Sequence, residues 1–495
     1  VVSTENVSLS TGTEKNQSYL SAGAVNSKGI VPNNKYNRYN FTFRNTTSFL
    51  DDKMKLDVGA SFINQYDRNM TNQGTYSNPL VTAYLFPRGD DWADVKMYER
   101  FNEQRGIMTQ FWPQGFDELR GQNPYWINYR NLRENKRDRY MLNANLSYEI
   151  TDWMSVAGRA RIDHSVNTFT EKFFASTIMT LAEGSENGLY GITEGREKQA
   201  YADALLNINK TFSEISLQAN IGTSITDNRY QELKNRGPID SKVGLANFFD
   251  VVHLNRNASK YVRSGYHDQT QSIFASLELG YKSTYYLTAT ARNDWPSQLA
   301  GARSVKSSFF YPSVGGSVVF SEMLDLPEQI SYLKLRSSYA SVGLPFPRFL
   351  ANATYPWENN DWANVTYQLL DLKPEKTNSF EVGLTMRFLS NFNLDVSYYN
   401  TRTFNQTFDP QLDVSTGASK IYIQTGNIAN EGVELALGYD KKWRQFNWIS
   451  NFTLSSNRNK IKELVSNYVI EETGEVINKD RLDVGGLGLA HFILK

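Results

Sequence analysis

Cysteine is absent from the 495 residues. That removes disulfides, thiolate catalysis and Cys-ligated zinc. Histidine is scarce as well: His164, His253, His267 and His491 lie scattered, without metal-ligand spacing. There is no excess charge of either sign, with 52 basic and 52 acidic residues, so no global field favours nucleic acid or another polyanion. Long hydrophobic runs are missing too. No stretch of about 18 apolar residues exists to cross a bilayer as a helix, and mean hydropathy is −0.51. Neither fact excludes a membrane protein, because a transmembrane β-barrel hides its hydrophobicity by alternation. The opening VVSTENVSLSTGTEKNQSY has no basic start, no apolar signal-peptide core and no initiator Met. The chain is expected to be a piece of a longer precursor.

What the sequence does have is aromatics, at 13 %, and alternation. Residues 372–400 contain a complete hairpin. Phe380, Val382, Leu384, Met386 and Phe388 alternate with Glu381, Gly383, Thr385 and Arg387; after Leu389-Ser390-Asn391, Phe392, Leu394, Val396 and Tyr398 alternate with polar partners. Strict period two gives each strand one apolar and one polar face, and so short a turn makes the strands antiparallel neighbours.

The same plan recurs along the chain, at 7–25, 39–62, 140–162, 202–221, 273–291, 310–339 and 433–454. It predicts an all-β, antiparallel transmembrane β-barrel segment of about 16 strands in eight hairpins. Connections within hairpins are short, that at 322–330 being the longest, while those between hairpins are long: 67–139, 167–200, 228–270, 343–378 and 405–431. Tight turns at one end and large loops at the other are the asymmetry of an outer-membrane barrel. A soluble sandwich puts turns of mixed length at both ends. Aromatics near strand ends (Tyr39 with Phe62, Tyr140 with Tyr148, Tyr281 with Tyr285 and Tyr286, Phe388 with Phe392, Phe446 with Trp448) read as interfacial girdles. The opposite faces, with Asn143, Asn145, Arg159, Arg161, Asp163 and Asp395, are too polar for a packed core and suit a lumen.

Four stretches resemble the SusC/RagA-type TonB-dependent transporters of the Bacteroidota outer membrane. They are LKPEKTNSFEVGL (372–384), QTGNIANEGVELAL (424–437), FFYPSVGGSVVFSEM (309–323) and NRYNFTFRNTTSF near the start. Gln424 stands where the family usually has Asn, and Val319 or Phe320 where it has another aromatic. The resemblance implies a parent barrel of about 22 strands with an N-terminal plug and a TonB box, so residues 1–495 are expected to be a partial barrel lacking plug, TonB box and last strands. An open sheet in lipid would leave unpaired backbone groups along its edge. The stretch RLDVGGLGLAHFILK (481–495) reads as a periplasmic-to-lumen segment cut short.

The resemblance further implies TonB-dependent import of a nutrient, an oligosaccharide ahead of a peptide, at the cell outer membrane. Its partners are a SusD-like lipoprotein lid, TonB-ExbB-ExbD acting through the N-terminal part, outer-membrane lipid, and a dimer of SusC–SusD pairs. No enzyme activity, cofactor, metal or nucleic acid is implied.

Candidate contacts with substrate or lid are the loop aromatics Trp92, Phe111, Trp112, Tyr125 and Trp126, with Trp295, Trp357 and Trp362 elsewhere. Exposed rings stack on sugars or cover a partner. The competing role is a small core that stabilises a long loop. Asp90, Asp91 and Asp94 lack the ligand spacing of a calcium loop. Three other readings compete. An outer-membrane enzyme would use His164 at a strand end, but no Ser- or carboxylate-centred motif accompanies it. A secretion or adhesion barrel would lack the plug and TonB box, and a plain porin would not need such loops.

Overall fold

The computed structural model describes residues 1–70, 73–115, 120–242, 244–352, 357–358, 361–362, 365–367, 372–408, 418–424, 426–463, 465–470 and 475–479. The stretch 481–495, Phe116 and Tyr355 lie outside the described residues. Sixteen strands form one sheet in which hydrogen-bonded order follows chain order. They are β1 (Val2–Gly12), β2 (Asn16–Lys28), β3 (Lys35–Phe49), β4 (Met54–Arg68), β5 (Asn131–Thr151), β6 (Met154–Phe174), β7 (Gly188–Phe212) and β8 (Ile215–Pro238). Then follow β9 (Lys260–Tyr281), β10 (Tyr285–Pro296), β11 (Phe309–Val319), β12 (Ile330–Leu344), β13 (Glu375–Phe388), β14 (Phe392–Phe404), β15 (Asn427–Trp443) and β16 (Phe446–Glu463). By internal packing the chain divides into two units. One comprises Val1–Tyr148, Gly158–Ala202 and Thr226–His267; the other comprises Glu149–Ala157, Asp203–Ile225 and Asp268–Lys495.

The predicted hairpins are present in register. Phe49 faces Met54, Tyr281 faces Tyr285, and Phe388 faces Phe392. The tight turns bend through left-handed residues that are not glycine: Leu50, Asp51 and Asp52, then Lys282 and Ser283, then Leu389 and Ser390. The facing pairs leave loops of four, three and three residues, each with two or three positive φ values in succession. Of the expected girdle pairs, Phe388 with Phe392, Tyr281 with Tyr285 and Phe446 with Trp448 are in ring contact, at 5.2, 6.4 and 6.2 Å between centroids, while Phe62 meets Tyr140 at 4.9 Å and Phe392 meets Tyr439 at 4.8 Å. Tyr286 departs from the girdle assignment. It alternates out of phase with Tyr285 and Leu287, and Lys334 Nζ lies 5.9 Å over its ring on the polar face.

That polar face is cross-linked by charge. Arg336 donates to Asp395 at 2.9 and 3.0 Å, while Thr385 donates to Asp395 at 2.6 Å. The guanidinium needs Gly383 opposite it, since a Cβ there would sit 2.5 Å from Arg336 Cζ. In the other unit Arg139 holds Asp163 through two bonds of 2.8 and 2.5 Å.

The largest difference from the sequence reading is strand length. β5 and β6 each run 21 residues, β7 25 and β8 24. These strands extend well into the stretches 67–139, 167–200 and 228–270 that alternation alone assigned to loops. Beyond Ile162, Ala200 and Ile225 the strict apolar/polar alternation stops, with polar residues interspersed with single apolar ones such as Phe173, Leu189 and Leu233, while the backbone ladder continues. Ion pairs join these extensions: Glu171 on β6 accepts from Arg133 on β5 at 3.2 Å and from Arg236 on β8 at 2.7 Å, and Arg236 also pairs with Glu183.

Candidate substrate and partner surface

Between β4 and β5 the chain builds a small folded module. Three short helices, α1 (Pro79–Leu85), α2 (Trp92–Lys96) and α3 (Pro124–Arg130), accompany a two-stranded hairpin of Glu99–Asn102 with Ile107–Gln110. Each helix is started by a local side chain. Asn78 accepts from Leu80 N, Asp91 from Ala93 N and Asn123 from Tyr125 N, which satisfies donors left over in a first turn. Asp91 is thereby a helix cap, and Asp90 accepts from Gln114 Nε2 at 2.8 Å.

The module has its own core. Val95 and Trp126 are wholly buried, and Trp112 and Ile127 nearly so. Trp126 Nε1 donates to Thr177 Oγ1 at 3.1 Å, and Trp112 Nε1 donates to the Arg120 carbonyl at 3.1 Å. Two buried amides tie the segments together. Asn123 Nδ2 donates to the carbonyls of Val95 (2.8 Å) and Phe111 (3.0 Å). Gln122 accepts from Ile178 N (2.9 Å) and donates to the Tyr76 carbonyl (3.0 Å). Buried amides satisfied this way rigidify a small core that apolar contact alone would leave loose.

From that core a chain of rings runs toward solvent. Trp112 meets Phe86 at 5.7 Å, Phe86 meets Trp92 at 5.4 Å edge-on, and Trp92 meets Tyr125 at 6.3 Å. Tyr98 stacks with Tyr125 at 6.5 Å and with Tyr129 at 5.5 Å. Arg130, clamped by Glu99 at 2.7 and 2.8 Å, lies 5.9 Å over Tyr98 and 5.1 Å over Phe174. Phe174 continues to Phe249 at 4.9 Å and Tyr190 at 6.3 Å. Burial, followed by the nearby Glu99 carboxylate, pushes the Tyr98 phenol above its ordinary value, so it is neutral and a hydrogen-bond donor at physiological pH. The ladder joins residues 86 to 249, and no sequence spacing signals such a grouping.

The candidate residues therefore occupy three environments. Trp112 and Trp126 are inside the module; Phe111 and Tyr125 are half-buried, with the Arg100 guanidinium 3.4 Å over the Phe111 ring. Trp92 is exposed, together with Tyr84, Met97, Phe101 and Tyr129, which sequence reasoning either passed over or did not rank. In the other unit Trp295 is exposed at the end of β10, opposite Gln271. Trp357 and Trp362 pair through their backbones, and their side chains lie outside the described residues. A second loop core gathers Leu299, Phe346, Leu350, Ala351 and Leu372, with Phe309 and Tyr422 against it.

His164 Nδ1 bonds the Glu197 carbonyl at 3.0 Å, and His253 packs edge-on against Phe248.

An antiparallel meander with tight turns within hairpins, long connections between them and alternating apolar and polar faces is the build of a transmembrane β-barrel. Residues 96–483 match the family described as "TonB dependent receptor-like, beta-barrel". That is well over half of the chain, which belongs to this family of outer-membrane receptors and is not an enzyme. TonB-dependent receptor P3 of Formosa agariphila is 24 % identical over 94 % of the chain and 46 % of its own length. TonB-dependent receptor SusC of Bacteroides thetaiotaomicron is 22 % identical over 97 % of the chain and 49 % of its own. Among solved structures, the RagAB peptide transporter aligns with TM-score 0.77 at 16 % identity, covering 96 % of this chain and 53 % of that one. The ferric-catecholate import receptor Fiu from E. coli aligns with TM-score 0.55 at 13 % identity, over 94 % and 64 %. The chain spans about half the length of the curated relatives it matches.

Proposed function

We propose that residues 1–495 supply barrel strands and extracellular loops to an active importer, which takes up a nutrient with energy delivered through TonB and with a SusD-like lipoprotein as lid. The observation that carries this reading is the ring ladder on a rigid module at the long-connection end. Its exposed members, Trp92 and Tyr129 with Phe101 and Met97, are the lid- or substrate-contacting part, and Trp112 and Trp126 hold them in place. Phe111, Tyr125, Trp295, Trp357 and Trp362 complete the contact set. The similarity to SusC supports the lid, and flat stacked rings suit an oligosaccharide first. A peptide is the second reading, favoured by the fold likeness to the RagAB peptide transporter.

The test is purification of the full-length protein from its native outer membrane in mild detergent, followed by mass spectrometry. A stoichiometric SusD-like lipoprotein with bound glycan or peptide is the expected result. Co-purification of secretion or adhesion subunits without a lid would overturn it.

A further inference from the structure

Tyr140, Leu142, Ala144 and Leu146 lie on the apolar face of β5, and Arg137, Arg139, Asn143 and Asn145 on its polar face. On β6, Gly158, Ala160 and Ile162 face the first way, Arg161 and Asp163 the second. Phe62 of β4 pairs with Tyr140 at the end of the apolar run farther from the tight turns. Next to that pair Arg139 stands opposite Ile63, and one polar-face position farther on Arg137 stands opposite Gln65. The arginines therefore begin where the lipid-facing band ends, on the side of the sheet turned away from lipid. All of these residues belong to the first of the two units.

Their hydrogen bonds are unevenly shared. Arg139 spends both of its bonds on Asp163. Arg161 is exposed and donates one, to Gln199 at 2.9 Å, and Gln199 donates in turn to Asn228 at 3.0 Å. Arg137 spends none. Half-buried, it has no hydrogen-bond or ion-pair partner among the described residues, and its Nε is closed off from solvent. The charges of Arg137 and Arg161 act on the same Asp163 carboxylate that Arg139 already holds. Glu197 is the further carboxylate acting on the group, through Arg139. Three guanidinium groups and two carboxylates leave one positive charge over. An unmet donor on a half-buried cation destabilises the unliganded wall, and an incoming anion would remove that cost.

We propose that Arg137 and Arg161 bind a carboxylate or sulfate group of the imported oligosaccharide, so that the nutrient is an acidic glycan rather than a neutral one. Guanidinium forks match the paired oxygens of such groups. Asp163 keeps Arg139 occupied and so limits the site to one anionic group at a time. Gln65 opposite Arg137 and Gln199 beside Arg161 set amides on either side, where the hydroxyls of the same sugar would lie. The proposal rests on the import reading and gives the substrate class that it left open.

The test uses the full-length protein, purified from its native outer membrane with its bound subunits. It is equilibrated with a mixture of oligogalacturonates, heparin-derived oligosaccharides, malto- and xylo-oligosaccharides and hexaglutamate, and what is retained is identified by mass spectrometry. An acidic oligosaccharide is retained over the neutral ones. Arg137→Gln lowers that retention about tenfold, the scale of one hydrogen bond to a charged group, and Arg137→Lys recovers part of it. The midpoint of urea unfolding does not fall in Arg137→Gln, because no internal partner is lost. If that variant does not assemble, Arg161→Gln is read for the same loss. Retention of neutral oligosaccharides or hexaglutamate alone, or acidic retention that survives Arg137→Gln, would overturn the anion site and leave import standing. A lowered unfolding midpoint would overturn it too, by placing the partner of Arg137 within the folded protein. Retention of none of these probes would overturn the import reading as well.

Discussion

The two halves of β8 obey different rules. Up to Ile225 one face carries Ile, Leu and Ala with a single Thr223, and the other Ser, Gln and Asn with a single Gly222; beyond it, Asp227, Arg229 and Gln231 on one face are matched by Asn228, Tyr230 and Glu232 on the other. The backbone ladder is the same throughout. What changes is the medium: the first half separates lipid from a polar interior, and the second has water on both sides. Stability is therefore supplied differently. In the first half each apolar side chain needs only to remain in lipid, while the second half and its loops depend on built contacts, such as the Glu171 pairs and the core around Trp126.

Removing the indole of Trp126 is the sharpest way to break that contrast. Trp126→Ala deletes a wholly buried ring and its bond to Thr177, and is expected to cost the module about 3–5 kcal/mol. Hydrogen exchange and protease cutting should rise within 74–130 and 175–182, while the heat-modifiable migration of the barrel stays as in the parent. If the barrel also unfolds, module and wall are one cooperative unit.

The complementary test lies in the lipid-facing half. Ile221→Arg puts a guanidinium near mid-membrane and is expected to cost about 2–4 kcal/mol, whereas Asn220→Arg, one residue away on the polar face, should cost under about 1 kcal/mol. Urea unfolding of barrels refolded into lipid reads both. Equal costs would mean that the face assignment fails.

The contrast also explains what was legible beforehand. All eight hairpins were visible in the sequence because lipid on one side forces a period of two, and no other requirement is so regular. The tall extensions of β5 to β8 were invisible, since water on both sides imposes no period on side chains. Among candidate site residues, the sequence marked 67–139 as rich in aromatics. It could not separate Trp126, which is core, from Trp92, which is surface, because both stand in short helices with no apolar stripe long enough to have a phase. Gln122 and Asn123 were missed outright. A buried amide looks in sequence like any loop amide.

A smaller effect is expected at the surface of the module. Trp92→Ala with Tyr129→Ala leaves the core intact and removes two exposed rings of the ladder, so stability should be unchanged. Affinity for the lid should fall by about 2 kcal/mol, close to thirtyfold, if these rings are interface anchors. Titrating purified lid against nanodisc-embedded transporter measures it. Loss of stability instead would return both rings to the module's core.

The smallest effect has the opposite sign and belongs to the tight-turn end. Leu389 and Ser390 are held at φ of 48° and 57° between the stacked rings of Phe388 and Phe392. A side chain in this left-handed region carries a steric cost that glycine lacks. The hairpin tolerates that cost because girdle rings and strand ladders on either side fix the turn. Ser390→Gly should then stabilise the barrel by about 0.5 kcal/mol, after subtracting the extra freedom glycine gives the unfolded chain. The midpoint of urea unfolding should rise slightly with no change in slope. A fall would mean that the Ser390 side chain contributes to the turn beyond its backbone angle, and that this end, too, depends on built contacts.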